Sequence, residues 1–476
     1  MNNIFLSLMI ISNLSCLIGF NEEKKVDLLV ALTNQESIKL EDYRKYAFFS
    51  YGNIEVEDLT SSYHDDIIRG DYTKTDVFNR IFCLSGSFTN SELGTFIEFL
   101  KNKEEIENVS FCSTNYLLNA GIGNQPNEDN QWLFDMIHLE NAWQTSIGDS
   151  NIKVGIVDTG IDINNPYIAN KVDTNLSKSF VDSAESALDD FTNHGTKVAG
   201  IIGTQYGTNK IISGICKNVT LVSLKIYALD NHGTELSTAR AIDYANKNDI
   251  DLLNVSMGST KYSYILEQTI QNYEGLIICS AGNDNVDIDV NKYYLGGYNC
   301  DNLICVGCSN LQDEKASDSN YGMESVDVFA PGNSIYTTSS TYGNSNAVTK
   351  ASMTSMATPI VTGIAVLLKA QFPTLTTYQL KYRILSNSLK INSLTNFCKY
   401  GARVDADKIV SNNNHNHTNY SVYNLYQHKV TCSCGINVYE NHKWIENTGS
   451  ILKNNTYAIV NGYICELCGQ TSVLIP

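Results

Sequence analysis

The sequence predicts an α/β domain, a mostly parallel sheet with helices on both faces, flanked by two smaller modules. Short, continuously apolar runs recur between Lys153 and Phe329, too uniformly greasy for strands with one wet face. Stretches with helical spacing fall between them, which is the pattern of parallel strands joined by crossover helices. Each apolar run also gives way abruptly to a small polar cluster, and in such sheets chemistry collects beyond the carboxyl ends of the strands.

The strand candidates are 153–157, 221–226, 252–255, 276–279, 303–306 and 326–329, with helices at 196–203, 235–247 and 262–272. A longer apolar helix, 360–370, is broken only by Thr362, Gly363 and Lys369, and reads as buried on nearly all sides. The stretch 351–359 leads into it. Pro359 falls early enough for a helix to tolerate, so Ser355 sits near a helix start, where unpaired N–H groups and the helix dipole favour developing negative charge.

The flanks have a different texture. Residues 1–20 carry an apolar run, Ile4 to Phe20, that suits a secretory signal although a basic start is missing; Cys16 stands in a poor lipoprotein box. Residues 21–120 are acidic and mixed, with strands expected at 26–32 and 106–111 and a helix at 90–103, a small α+β domain. The turn-rich segment 121–129 is a natural exposed cleavage site, and the α/β domain is expected over 121–410. A polar linker, 411–420, precedes a small Cys/His-rich module, 421–476.

Totals narrow the function. The 476 residues carry a net charge of -18, which argues against nucleic acid or anionic membrane as the main partner. No run beyond the N-terminal one is long enough to span a bilayer. The 13 cysteines do not form a dense disulfide framework; Cys216, Cys279, Cys305 and Cys308 lie in or beside apolar runs and read as buried thiols, while Cys300 and Cys398 have loop-like surroundings.

In chain order, Asp158 ends a strand, His194 opens a helix and Ser355 opens another. Each alone has a bland explanation: a turn former, a helix-start neighbour, an N-cap. Together they are the parts of an activated nucleophile, because a serine needs a base, and the base needs a carboxylate to fix its tautomer. Asn283, alone, is a loop residue capping its own turn.

The blocks Asp158-Thr159-Gly160-Ile161-Asp162, His194-Gly195-Thr196, Ala281-Gly282-Asn283 and Thr354-Ser355-Met356-Ala357-Thr358-Pro359 resemble the four signatures of the subtilases, in that family's order. The resemblance covers roughly 131–410. It implies a subtilisin-like fold and a serine endopeptidase with Asp158 orienting His194, His194 as base and acid, and Ser355 as nucleophile. Asn283 and the Ser355 N–H would form the oxyanion hole. Ser256, Met257 and Gly258 resemble the substrate-binding strand, Gly282 would also bind substrate, and 401–406 resembles the segment that closes the domain. Residues 21–120 are similar in size and texture to the family's inhibitory propeptides, with a plain extra domain as the alternative.

The chain departs from the family at four places. Met353 stands where a glycine is usual, two residues before the nucleophile; a side chain there crowds or strains the loop. Asn193 replaces a usual glycine, Lys197 a common second histidine, and Tyr294-Leu295-Gly296 a frequent Tyr-Pro-Ala. The family's calcium loop corresponds to 205–210, which offers amide oxygens but no carboxylate and a lysine, a poor hard-cation site. In the tail, Cys432, Cys434, Cys465 and Cys468, with His428 and His442 nearby, suit a tetrahedral zinc site, with two disulfides or a mixed Cys/His site as alternatives.

The resulting expectation is an exported, monomeric serine endopeptidase, made as a zymogen, acting on proteins or peptides. It would need no cofactor for catalysis and would be held inactive by its own propeptide. The alternative is a catalytically impaired binding protein on the same fold, motivated by Met353.

Overall fold

The computed structural model of the chain describes residues 130–411, except 182–184, 206–211, 229–232 and 343–346, together with short segments within 24–117 and 419–472. The chain divides into two units, 1–410 and 411–476.

A nine-stranded sheet organises the first unit. Its order is Leu389–Lys390, Ala402–Arg403, Val328–Pro331, Leu303–Ser309, Leu276–Ser280, Leu252–Val255, Gly148–Asp158, Asn218–Lys225 and Lys178–Ser179. All neighbours run parallel except at one edge, where Leu389–Lys390 pairs antiparallel with Ala402–Arg403.

The two faces separate with period two. Val154, Ile156, Leu252, Ile278, Ile304 and Val306 join one core with the helices His194–Gly203 and Thr354–Gln371. Val157, Leu253, Ile277, Cys279 and Cys305 join a second core with the helices Glu235–Lys247 and Tyr264–Asn272. The expected α/β architecture, helices on both faces, is therefore present. Helix starts follow their caps: Thr234 makes a capping box with Ser237, and the Ser263 side chain accepts from Leu266 N. The latter starts that helix at Tyr264 rather than Tyr262. From Thr354 to Leu368 the long helix is buried throughout.

Cys216, Cys279, Cys300, Cys305, Cys308 and Cys398 are free and buried. Cys300 and Cys398 differ from their loop-like reading because their loops fold over the second core.

Towards the N-terminus, Ile54–Asp58, Ile81–Phe88, Lys24–Leu32 and Ile106–Phe111 form an antiparallel sheet in that order. Two of these strands were expected. The other two, with Ser-Gly in one and three acidic residues in the other, carry weak strand signals. Of the expected helix 90–103, only Phe96, Ile97 and Leu100 are described; they are helical and buried. The apolar run in 1–20 and the segment 121–129 lie outside the described residues.

The second unit holds two three-stranded antiparallel sheets, 419–441 and 444–472. Cys465 ends the strand Thr456–Cys465, while Cys432, Cys434 and Cys468 lie outside the described residues. So does most of the calcium-loop position, 206–210.

Candidate active site

Adjacent central strands deliver the chemistry. Asp158 is the last residue of its strand, Ser256 follows the next strand, and Asn283 lies three residues beyond the one after that. All lie at carboxyl ends.

His194 is the first residue of its helix. Asn193, just before it, holds φ 66° and ψ 15°, left-handed backbone that asparagine tolerates far better than most residues, so it substitutes well for the usual glycine. Its side chain donates to Ser339 Oγ at 2.9 Å and accepts from Ser340 N at 2.6 Å. Gly195 packs so closely that a Cβ there would stand 2.1 Å from the Gly160 carbonyl oxygen.

The imidazole is held by its Nδ1, 2.8 Å and 2.9 Å from the two Asp158 carboxylate oxygens. A carboxylate only accepts, so Nδ1 carries the hydrogen and Nε2 is left as the basic lone pair. Asp158 Oδ1 also accepts from Thr159 N at 2.8 Å. Both residues are buried.

A second carboxylate, which the sequence reading passed over, fixes this arrangement. Asp190 is fully buried. It accepts from Thr159 Oγ1, Thr192 Oγ1, Asn193 N, Thr196 N and Thr196 Oγ1, all within 3.0 Å. Thr159 Oγ1 in turn accepts from Gly195 N at 2.9 Å. Asp190 thereby binds the Asp158 loop to the first turn of the His194 helix. Its signal was available, an acid shortly before a helix start. Lys197 lies one turn beyond His194; burial depresses its ammonium below the ordinary value, while Asp190 and Asp158 pull it back.

Ser355 is the second residue of its helix, within the turn whose N–H groups have no helical partner. Pro359 lies four residues on, so the helical bond to the Ser355 carbonyl is missing. The Ser256 hydroxyl donates to that carbonyl instead, at 3.3 Å, and itself accepts from Asn254 Nδ2. Ser256 thus seats the Ser355 turn.

Met353 holds φ 89° and ψ 177°, the backbone of the glycine it replaces. Its carbonyl accepts from Met356 N and Ala357 N, so the loop enters the helix in register despite the side chain.

Asn283 Oδ1 accepts from Thr354 N at 3.0 Å and Thr354 Oγ1 at 2.7 Å. Because Thr354 N can only donate, the amide orientation is forced, and Nδ2 faces away. Gly282 holds φ 100°, and a Cβ there would stand 2.3 Å from Asn320 Nδ2. Asn320 ties down this turn by donating to Ala281 O and accepting from Asp284 N and Val286 N.

The His194 and Ser355 helices are fastened through the hairpin Ile335–Thr338/Val348–Ala351 that precedes Met353. Thr337 Oγ1 and Thr338 Oγ1 donate to the carbonyls of Lys197 and Thr196, each at 2.6 Å. Among the described residues, His194 Nε2 and Asn283 Nδ2 are two of the buried side-chain atoms that have no hydrogen-bond partner. Buried atoms of this kind are normally satisfied.

Met257 and Gly258 lie opposite Leu117 and Tyr116 in an antiparallel pair. Asn115 and Thr114 pair with Gly233 and Thr234. The strand Thr114–Leu117 therefore lies between two edges of the domain. The Tyr294–Leu295 peptide, at the family's Tyr-Pro position, is cis. Among the described residues, no group of three or more His, Cys, Asp and Glu side chains is placed to hold a metal ion.

On a sheet of this topology, a carboxylate-held imidazole at one helix start and a serine at another are the features of a subtilisin-like serine endopeptidase. Subtilisin DY of Bacillus licheniformis is 34% identical over 248 residues, 51% of this chain and 85% of its own length. Thermitase of Thermoactinomyces vulgaris is 33% identical over 241 residues, 49% and 80% of the two chains. Among solved structures, fervidolysin from Fervidobacterium pennivorans, a keratinolytic enzyme related to subtilisin, has a TM-score of 0.65 at 19% identity. That match covers 83% of this chain and 62% of the other, and speaks to the fold alone. The subtilase family profile matches residues 149–419, more than half of the sequence, and the chain belongs to that family.

Proposed function

We propose that this subtilase is an exported endopeptidase, made as a zymogen, that cleaves peptide bonds through an acyl-enzyme on Ser355. Ser355 Oγ attacks the scissile carbonyl carbon as its proton passes to His194 Nε2, and the carbonyl π pair moves onto oxygen. Asn283 Nδ2 and the Ser355 N–H hold that oxyanion. Collapse breaks the C–N bond, and His194 returns the proton to the leaving amine. Water then repeats the sequence to free Ser355 and the new carboxyl group. Asp158 keeps the imidazole in the required tautomer throughout, and no cofactor is needed.

The observation that carries this reading is the pair of buried, partnerless atoms, His194 Nε2 on the Asp158-held imidazole and Asn283 Nδ2 on the amide bonded to Thr354. One is a base without a proton donor and the other a donor without an acceptor, which are the two vacancies a serine hydroxyl and an oxyanion fill.

Residues 21–120 act as an intramolecular inhibitor in this proposal. The support is the strand Thr114–Leu117, which takes the antiparallel place of a substrate along Met257–Gly258. Export rests on the apolar N-terminal run and on extracellular relatives such as the minor extracellular protease Epr of Bacillus subtilis. Among the described residues, no helix is long and apolar enough to cross a membrane.

Intact mass of the full chain and of Ser355→Ala, expressed side by side, tests the proposal. The wild type is expected to lose its N-terminal part by a cut between Leu117 and Asn130 while Ser355→Ala stays whole. Identical masses for the two would refute it.

A further inference from the structure

We infer that Tyr293 is the floor of the pocket that receives the side chain on the acyl side of the scissile bond, and that it restricts this pocket to short residues. The inference rests on the peptidase reading above and adds its substrate class.

The position of the pocket follows from the register. A chain running antiparallel to Met257–Gly258, as Thr114–Leu117 does, passes Gly258 and then Met257, and next arrives beside Ser256. Ser256 touches the Ser355 carbonyl, and Asn283 is bonded to Thr354. The residue whose carbonyl is attacked therefore lies between the segments Ser256–Gly258 and Ala281–Asn283. Its side chain has to enter the slot between them.

That slot is walled by two glycines, and the Tyr293 ring reaches both. A Cβ on Gly258 would stand 2.1 Å from Tyr293 Cε1 and 2.6 Å from Cζ, and a Cβ on Gly282 would stand 3.1 Å from the same Cε1. The ring thus packs against bare backbone on both walls, and Tyr293 is only 6% exposed.

The backbone that carries the ring is also fixed. Tyr294 N donates to Ser259 O at 2.7 Å and Ser259 N donates to Tyr294 O at 2.6 Å, which clamps the neighbouring residue to the cleft strand. Gly297 N donates to the Tyr293 carbonyl at 2.8 Å. With the backbone fixed, the ring can clear the slot only by leaving its buried rotamer, so an aromatic substrate side chain meets an occupied space. An alanine-sized one needs no such rearrangement.

The test measures kcat/KM for a set of peptides differing only at the acyl-side residue, Ala against Phe, with enzyme from the full chain. The wild type is expected to favour Ala by about 10-fold or more, and Tyr293→Gly to raise the Phe/Ala ratio by ~100-fold, the range open to an apolar pocket. Tyr293→Phe keeps the ring and is expected to keep the wild-type ratio. If Tyr293→Gly does not fold, the wild-type ratio decides alone, and a preference for Phe overturns the inference. An unchanged ratio in folded Tyr293→Gly overturns it too, with Ser355-dependent hydrolysis and the peptidase reading intact. Absence of Ser355-dependent hydrolysis of every peptide removes the peptidase reading and this inference with it.

Discussion

Substitution of Met353 isolates the strain at the entrance to the Ser355 helix. Its φ of 89° with ψ of 177° lies in a region that is essentially reserved for glycine, and holding another residue there costs about 1–3 kcal/mol. Comparison of Met353→Gly with Met353→Ala removes the same side chain contacts from both variants; only alanine keeps the Cβ. At an unstrained position alanine is the more stable of such a pair by about 0.4–1 kcal/mol, through the unfolded chain. Here the strain outweighs that term, and Met353→Gly is expected to be more stable by about 0.5–2 kcal/mol. For a domain of this size that is a difference of a few degrees in melting temperature. Urea and thermal unfolding, with Ser355→Ala as the common background to prevent self-digestion, measure it. Alanine equal to or more stable than glycine would show that the loop carries no glycine-specific strain.

Three further outcomes follow from the site. Asn283→Ala is expected to lower kcat by about 10²–10³ with little change in KM, because it removes a donor used only in the transition state; an unchanged kcat would exclude the oxyanion role. Asp190→Asn leaves an amide where two donors from Thr196 point, and is expected to cost about 1–3 kcal/mol of stability and at least ~10-fold in kcat, read by unfolding and peptide hydrolysis. Burial favours the neutral form of Asp162, but hydrogen bonds from Thr341 and Asn164 outweigh it and hold the carboxyl below its ordinary 3.8. As pH falls, the unfolded chain takes the proton first, so the stability Asp162 supplies is present above that value and lost below it. Unfolding titrations should show a steeper acid loss in the wild type than in Asp162→Asn, and parallel curves would refute this.

The sheet was legible because its strands are apolar on both faces, and residues such as Val154 and Ile277 satisfy different cores while reading alike. Asp158, His194, Asn283 and Ser355 were legible because each ends or begins an element, where polar residues beside apolar runs stand out. Less visible were residues that act through a partner far away in sequence. Asp190 looks like a surface acid until Thr159 and Thr196 fold around it. Tyr293 looks like one of several tyrosines until Gly258 and Gly282 approach it from segments 35 and 11 residues away. The sequence reading of Pro359 as harmless was also incomplete, since it deprives the Ser355 carbonyl of a donor and Ser256 must supply one.

These partners account for how the fold tolerates an unsatisfied site. A buried polar atom left without a partner costs about 1–3 kcal/mol, and His194 Nε2 and Asn283 Nδ2 are two such atoms. Neither can relieve itself by turning. The imidazole is fixed at Nδ1 by Asp158, and the amide is fixed at Oδ1 by Thr354. Rotation of either would expose a donor to a donor or a lone pair to a carboxylate. The surrounding bonds of Asp190, Asn320 and the Thr337–Thr338 pair act on backbone rather than on these side chains, so they hold the frame without satisfying the two atoms. On the proposed mechanism, the Asn283 amide gains its acceptor only as the oxyanion develops, which would be differential stabilisation of a transition state.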